Sequence, residues 1–84
     1  MVKLLYFARL REILGTSGEE LELPGTVHDI LSLTAWLRQR GGQWEVELAP
    51  EKPVRVAVNQ DLAGPQSAIR NGDEIAFFPP VTGG

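Results

Sequence analysis

The chain has 84 residues, a formal net charge of -3 and no cysteine. A chain of this length supports one domain, residues 1–84, with a single small core. Its eight basic residues are scattered, so there is no basic stripe for nucleic acid or an anionic membrane. The lack of cysteine excludes disulfides, thiolate metal sites and cysteine nucleophiles, and the single histidine, His28, does not make a metal site alone.

The hydropathy pattern contains no targeting or spanning segment. The apolar run near the N-terminus is too short for a signal peptide or a membrane span, and no such run follows. We therefore expect a soluble, cytoplasmic protein that binds neither nucleic acid nor membrane.

The first third of the chain predicts two strands. Residues 2–8 are rich in β-forming side chains, and residues 21–23 alternate in polarity just after a Gly-Thr-Ser-Gly turn at 15–18. The Arg-Leu-Arg-Glu-Ile-Leu segment between them predicts one helical turn.

The main predicted helix follows a Pro-Gly break at 24–25. Thr26 is placed to cap it, with Asp29 three residues later, and apolar residues recur at helical spacing as far as Leu37. The Gly-Gly pair at 41–42 is expected to end this helix.

The second half predicts two further strands, at residues 54–58 and 74–78, with turns at 59–61 and 71–73. The order strand, strand, helix, strand, short elements, strand predicts an α+β fold of the β-grasp type. In that arrangement a mixed sheet packs one main helix on one face.

Alternation along the strands assigns their side chains to two faces. The face toward the helix is predicted to carry Val2, Leu4, Tyr6, Leu21, Leu23, Val54, Val56, Val58, Ile75 and Phe77. The opposite face carries charged residues and five apolar ones, namely Leu5, Phe7, Ala57, Ala76 and Phe78. Such a patch on a small domain more often marks a partner surface than an accident. The alternative is that the segment of Trp44 or the region of Leu62 folds over it.

The C-terminal residues 79–84, Pro-Pro-Val-Thr-Gly-Gly, predict an extended tail with a reach of roughly 20 Å, at about 3.3 Å per residue. The glycines lack Cβ atoms and fit where other residues clash. The tail's chemical asset is the carboxylate of Gly84, which needs activation. No nucleotide-binding loop motif is present, so adenylation would belong to a partner enzyme. On composition alone, a frayed terminus is an equal alternative.

Three stretches resemble one known family in order along the chain. These are Leu-Leu-Tyr-Phe-Ala-Arg-Leu-Arg-Glu at 4–12, Ala-Val-Asn-Gln at 57–60, and Asn-Gly-Asp-Glu-Ile-Ala-Phe-Phe-Pro-Pro-Val-Thr-Gly-Gly at 71–84. The chain thereby resembles the small subunit of molybdopterin synthase (MoaD), a ubiquitin-like sulfur carrier. Residues 38–53 carry no part of the resemblance.

The resemblance implies a two-stage reaction at Gly84. A ubiquitin-activating-like (MoeB-like) enzyme would use Mg-ATP to adenylate Gly84, and sulfide from a persulfide donor would displace AMP to leave a thiocarboxylate. The carrier itself would bind no cofactor tightly. It would then donate sulfur to a cyclic pyranopterin precursor on a large (MoaE-like) subunit, in a heterotetramer with two large subunits.

The resemblance also implies which residues meet these partners. Gly83 would thread the active site of the partner next to Gly84. The implied partner-binding positions are Phe7, Leu62, Phe78, Pro79, Pro80, Val81 and Thr82. Two of them, Phe7 and Phe78, are also on the outward face derived from strand alternation.

Two other functions stay open from the sequence. One is a related ubiquitin-like role, as a sulfur carrier for thiazole synthesis or as a protein modifier; thiazole-forming carriers generally lack the Phe-Phe-Pro-Pro run, and modifiers usually have arginine where this chain has Thr82. The other is a β-grasp module that binds a protein without covalent chemistry. Surface ion pairs are expected among Arg9, Arg11 and Glu12, and Trp44 fits either a core lid or a contact residue.

Overall fold

The computed structural model describes residues 1–80. The predictions made for Val81, Thr82, Gly83 and Gly84 lie outside the described residues. The elements in chain order are β1 (Val2–Tyr6), α1 (Ala8–Leu14), β2 (Gly18–Leu21), α2 (Ile30–Arg38), α3 (Gly42–Glu47), β3 (Arg55–Val58), β4 (Asp61–Ala63) and β5 (Glu74–Phe78).

The five strands form one mixed sheet in the order β2-β1-β5-β3-β4. The central pair, β1 and β5, is parallel, and the other three pairs are antiparallel. The predicted β-grasp arrangement is confirmed, with α2 as the main helix on one face of the sheet.

The core lies between the sheet and the helices, as strand alternation predicted. On β1 and β5 the inward residues are at most 1% exposed: Val2, Leu4, Tyr6, Ile75 and Phe77. The predicted inward residues of β2 and β3, and Leu23 just beyond β2, are half-buried and pack against this core. Leu10 of α1 and Leu33 and Leu37 of α2 complete it from the helix side.

Helix α2 begins later than predicted, because Asp29 rather than Thr26 is its N-cap. Asp29 Oδ1 accepts a hydrogen bond from the Ser32 amide at 2.8 Å, and Ser32 Oγ accepts one from the Asp29 amide at 3.1 Å. This reciprocal capping box satisfies two amides that the helix leaves without partners. The preceding residues form a turn instead, in which the Val27 amide donates to the Pro24 carbonyl.

Strand β2 begins three residues before its predicted start and ends at Leu21, two residues before its predicted end. Its register pairs Val2 with Leu21 and Leu5 with Gly18, so pairing with β1 decides its bounds. Gly18 permits the close approach of the two strands, since a Cβ atom there would lie 2.7 Å from the Leu4 carbonyl oxygen.

Two elements have no counterpart in the sequence prediction. Helix α3 occupies part of the unassigned segment, and its N-cap Gly41 adopts φ 76°. Strand β4 forms a hairpin with β3 through Asn59 and Gln60, whose φ angles are 50° and 74°. Positive φ at both residues is the geometry of a type I′ turn.

Candidate functional site

The face of the sheet away from the helices carries an apolar surface, the outer patch, formed by Leu5, Phe7, Ala57, Leu62, Ala76 and Phe78. The strand register aligns Leu62, Ala57, Ala76 and Leu5 in one row across four strands. Phe78 lies in the next row, opposite Arg55. The Phe7 amide donates to the Phe77 carbonyl at 3.1 Å, which continues the β1–β5 ladder and brings Phe7 level with Phe78.

Leu62 joins the patch through its pairing with Ala57. Strand alternation alone did not place Leu62, because β4 was not predicted. It is 71% exposed, and Phe7 is 46% exposed. The structure thus brings together the three positions that the family resemblance indicated, Phe7, Leu62 and Phe78.

The outer patch has nothing over it within residues 1–80. Trp44 packs against the Tyr6 ring, on the helix side of the sheet, at a centroid distance of 5.3 Å. Leu62 is part of the patch rather than a cover. The alternative in which one of these regions folds over the patch is therefore wrong for the described part of the chain.

The side chains on the outer face change from charged to apolar along β5 toward the C-terminus. At the start of β5, Glu74 is paired with Lys3, which also pairs with Glu20 of β2. Ala76 and then Phe78 follow on the same face. Pro79 and Pro80, both half-buried, come directly after Phe78. The chain therefore leaves the sheet from the apolar end of the outer face, next to the two phenylalanines.

The centre of the outer patch consists of small side chains. Ala57 is only 8% exposed, and it lies in the middle of the row, between Leu62 and Ala76. Ala76 is half-buried beside it. Two alanines between Leu62 and Leu5 place small side chains at the centre of the patch, with a larger apolar side chain at each end of the row.

Stacked aromatic rings support the phenylalanine end of the patch from the helix side. Tyr6 and Phe77, the residues that precede Phe7 and Phe78, stack at 5.7 Å with an interplanar angle of 16°. Trp44 adds an edge-to-face contact with Tyr6 at 78°. Because these rings are closely packed, the backbone that presents Phe7 and Phe78 is held in place.

The Tyr6 hydroxyl is anchored by a charged pair. It donates to Glu19 Oε2 at 3.0 Å, and Arg40 binds both oxygens of the same carboxylate, at 2.8 and 2.9 Å. Burial, reinforced by the Glu19 charge, raises the pKa of Tyr6, so the hydroxyl stays protonated and donates. The hydrogen bonds from Arg40 lower the pKa of Glu19. The Arg40 guanidinium also lies 4.4 Å from the centre of the Trp44 ring.

This network was not predicted, since it depends on the β1–β2 register and on the position of α3. Trp44 is therefore a core lid, one of the two roles open to it.

Arg9 pairs with Glu47 of α3 at 2.7 Å and not with Glu12, because α1 packs against α3. His28 is exposed and lies just before the helix cap.

Residues 1–80 contain no cluster of three or more histidine, aspartate or glutamate side chains able to hold a metal ion. The helices of this part of the chain are all too short, or too polar, to cross a membrane. Within residues 1–80, the candidate site is therefore the outer patch together with the C-terminal segment that follows β5.

Comparison with known proteins agrees with the fold and the patch. The model of the ThiS family matches residues 4–84. The chain is 43% identical over 84 residues to the molybdopterin synthase sulfur carrier subunit of Haemophilus influenzae, covering 100% of both chains. Among solved structures, a Pyrococcus furiosus protein named as subunit 1 of a molybdopterin converting factor is 30% identical, with a TM-score of 0.76. The match covers 95% of this chain and 97% of that one.

A second solved structure is the protein SAMP1 from Haloferax volcanii. It is 30% identical with a TM-score of 0.67, covering 99% of this chain and 98% of that one. Both structures share the β-grasp sheet and its helices. The full-length match and the motif at 71–84 decide the assignment: this chain belongs to the ThiS family and, within it, to the sulfur carrier subunits of molybdopterin synthase.

Proposed function

We propose that this chain carries sulfur as a thiocarboxylate on Gly84 and donates it to a pterin precursor held by a large synthase subunit. The observation that supports this most is the position of the outer patch at the point where the chain leaves β5. A partner that covers Phe7, Leu62 and Phe78 receives the segment from Pro79 onward directly into its own surface.

The first step is activation of the Gly84 carboxylate by an adenylating enzyme. The carboxylate attacks the α-phosphate of Mg-ATP, so that the acyl-adenylate forms and pyrophosphate leaves. Hydrosulfide, released from a protein persulfide by a thiol, then attacks the acyl carbon. AMP leaves, and a thiocarboxylate remains. The sulfur is thus carried without a cysteine, which the chain lacks.

The second step takes place on the large subunit. The thiocarboxylate sulfur attacks an electrophilic carbon of the pterin precursor and displaces the oxygen substituent of that carbon, which takes up a proton as it leaves. Water then hydrolyses the resulting acyl–sulfur bond, which returns the Gly84 carboxylate and leaves the sulfur on the precursor. Two carriers are needed for the two sulfur atoms of a dithiolene, which agrees with two carriers on two large subunits. Acid and base groups would come from the large subunit, because the chain's single histidine is remote from the patch, before α2.

The intact mass of the chain tests the first step. After incubation with a matching adenylating enzyme, Mg-ATP and sulfide, we expect a gain of about 16 Da, the oxygen-to-sulfur difference. A chain lacking Gly84 should show no gain, while its circular dichroism stays unchanged. No gain in the full chain, with an enzyme active on another carrier, would contradict the proposal.

A tail variant separates threading from folding. Gly83→Val adds a β-branched side chain next to the reacting carboxylate, where a narrow site tolerates only a bare backbone. We expect it to slow thiocarboxylation and to leave the thermal midpoint unchanged. Gly25→Val, the same substitution at an exposed position where an added Cβ atom meets nothing within 4 Å, serves as the matched control and should react like the natural chain.

A second candidate function is protein modification, in which Gly84 is joined to lysines of other proteins. The likeness to SAMP1 of Haloferax volcanii, a small archaeal modifier protein, favours this candidate. It predicts higher-mass conjugates in lysate that disappear when both terminal glycines are deleted. If neither conjugates nor a thiocarboxylate forms, and deletion of the glycines leaves function intact, the chain acts as a non-covalent binding module through the outer patch.

A further inference from the structure

A groove lies mainly on the helix side of the sheet, and at the edge formed by the β3–β4 hairpin it reaches Leu62 of the outer patch. Its volume is about 490 Å³, and it separates α2 from the β3–β4 hairpin. Ile30 and Thr34 of α2 form one wall, and Val54, Val56 and Phe77 lie along the sheet side. This volume is within the range of about 300–1,000 Å³ typical of small-molecule sites.

The two ends of the groove differ in polarity. At the N-terminal end of α2, Leu31 is 61% exposed, and its amide donates to the carbonyl of Pro65, another lining residue. At the C-terminal end of α2 lies the cation Arg38, and Lys52 is a second cationic lining residue. The eight residue steps from Ile30 to Arg38 span about 12 Å along the helix, at about 1.5 Å per step.

The charge of the groove is opposite to that of the chain. Three of its lining residues are cationic, Arg38, Lys52 and Arg55, and none is acidic, although the chain has a net charge of -3. Neither ion pair within residues 1–80 involves any of these three cations. The Arg38 Nε–H donates to the Glu45 carbonyl at 3.0 Å, which holds the guanidinium at this end of the groove.

We propose that this groove binds an amphipathic carboxylate, with its apolar chain along α2 and its head between Arg38 and Lys52. An extended chain advances about 3.5 Å for every three bonds, so about ten bonds span the 12 Å length. The ligand is a free molecule rather than a bilayer, because the apolar residues line a concave groove instead of a flat face. The groove shares Leu62 with the outer patch, whereas the other five residues of the patch do not line it.

Decanoate at concentrations below micelle formation is the probe for this site. In a titration of the full chain followed by amide NMR shifts, we expect saturable changes at Leu31, Thr34 and Val56. Leu5 and Ala76 on the outer face should not shift. Decanol, which has the same chain without the charge, should bind at least about tenfold more weakly, equivalent to about 1.4 kcal/mol.

Charge reversal at the proposed carboxylate-binding end of the groove gives the decisive comparison. Lys52→Glu should weaken decanoate binding about tenfold, whereas Lys3→Glu, the same change on the outer face, should leave it unchanged. Thr34→Phe fills the groove and should also reduce binding, which provides a second test if Lys52→Glu alters the fold. The proposal would be overturned if decanol bound as well as decanoate, or if the two lysine variants had equal effects. It would also be overturned by shifts centred on the outer patch, by no binding, or by a response only to anionic vesicles.

Discussion

The two faces of the sheet are built from the same strands, yet they have opposite roles. On the helix side, Tyr6 and Phe77 are at most 1% exposed and stack on one another. On the other side, their sequence neighbours Phe7 and Phe78 are exposed or half-buried, with no covering element in residues 1–80. A one-residue step along a strand therefore separates a side chain that stabilises the fold from one that is available to a partner.

The two functions of this sheet, stabilising the fold and binding a partner, are therefore physically separable. Helix-side residues lose their water on folding and contribute to the free energy of unfolding. Phe7 and Leu62 of the outer patch stay 46% and 71% exposed, so their remaining exposed apolar area contributes to affinity when a partner binds. Changes at adjacent positions should thus affect different measurements.

The largest effect on stability is expected from Phe77→Ala. It removes a ring that is 0% exposed and packed against Tyr6, and leaves a cavity. Substitutions of this kind cost about 3–5 kcal/mol. Urea denaturation should show this loss, and the chain should be partly unfolded at 25 °C if its total stability is near the low end for small domains.

The matched control for that variant is Phe78→Ala, the same change one residue later. We expect less than about 1 kcal/mol of destabilisation, since the side chain is only half-buried and lies on the outer face. A loss equal to that of Phe77→Ala would mean that the outer face is part of the core, contrary to the separation of the two faces.

The next largest effect is expected on affinity, from Phe78→Asp. A carboxylate in an apolar contact loses its hydration and the packing of the ring, and Arg55, opposite on β3, offsets only part of this cost. A central contact residue of this kind is worth about 2 kcal/mol or more. Calorimetric titration with a large synthase subunit should show at least about thirtyfold weaker binding. Glu74→Asp, a conservative change at the charged end of the same strand face, should bind like the natural chain.

The separation of faces could largely be predicted from the sequence. The period-two alternation assigned the inward residues of β1, β3 and β5 and the outward residues Phe7 and Phe78, because alternation is a local property of strands. Pairing is not local, and it was needed to place Leu62 next to Ala57 and to move β2 to Gly18–Leu21. The Glu19–Arg40 contact, 21 residues apart in the chain, was likewise beyond local patterns.

A smaller effect on stability is expected from Glu19→Gln. The amide can still accept from the Tyr6 hydroxyl, but the two-pronged ion pair with Arg40 is lost. For a partly exposed pair we expect a cost of about 1 kcal/mol at neutral pH. Glu20→Gln, the same change on the outer face of the same strand, should cost little by thermal denaturation, since Glu20 is exposed.

The pH dependence of that difference is a separate test. Hydrogen bonds from Arg40 lower the pKa of Glu19 in the folded chain, so the unfolded chain takes up the proton first as the pH falls. The stabilisation is therefore complete above the ordinary glutamate pKa and is lost as the pH falls through the lowered value. The stabilities of the natural chain and Glu19→Gln should converge in that acid range, whereas a constant gap would exclude the ion pair as its source.

The smallest effect, and the one expected to stabilise, lies in the turn that brings Leu62 into the patch. Gln60 has a φ of 74°, where a side chain costs about 1 kcal/mol and glycine does not. Gln60→Gly should therefore raise the free energy of unfolding by about 0.5 kcal/mol, while Gln66→Gly, at an exposed position without positive φ, should lower it slightly. Because the type I′ turn sets the register of Leu62 with Ala57, Gln60→Gly should also leave partner affinity unchanged. A loss of affinity would mean that the Gln60 side chain itself contacts the partner, which would extend the outer patch beyond the strands.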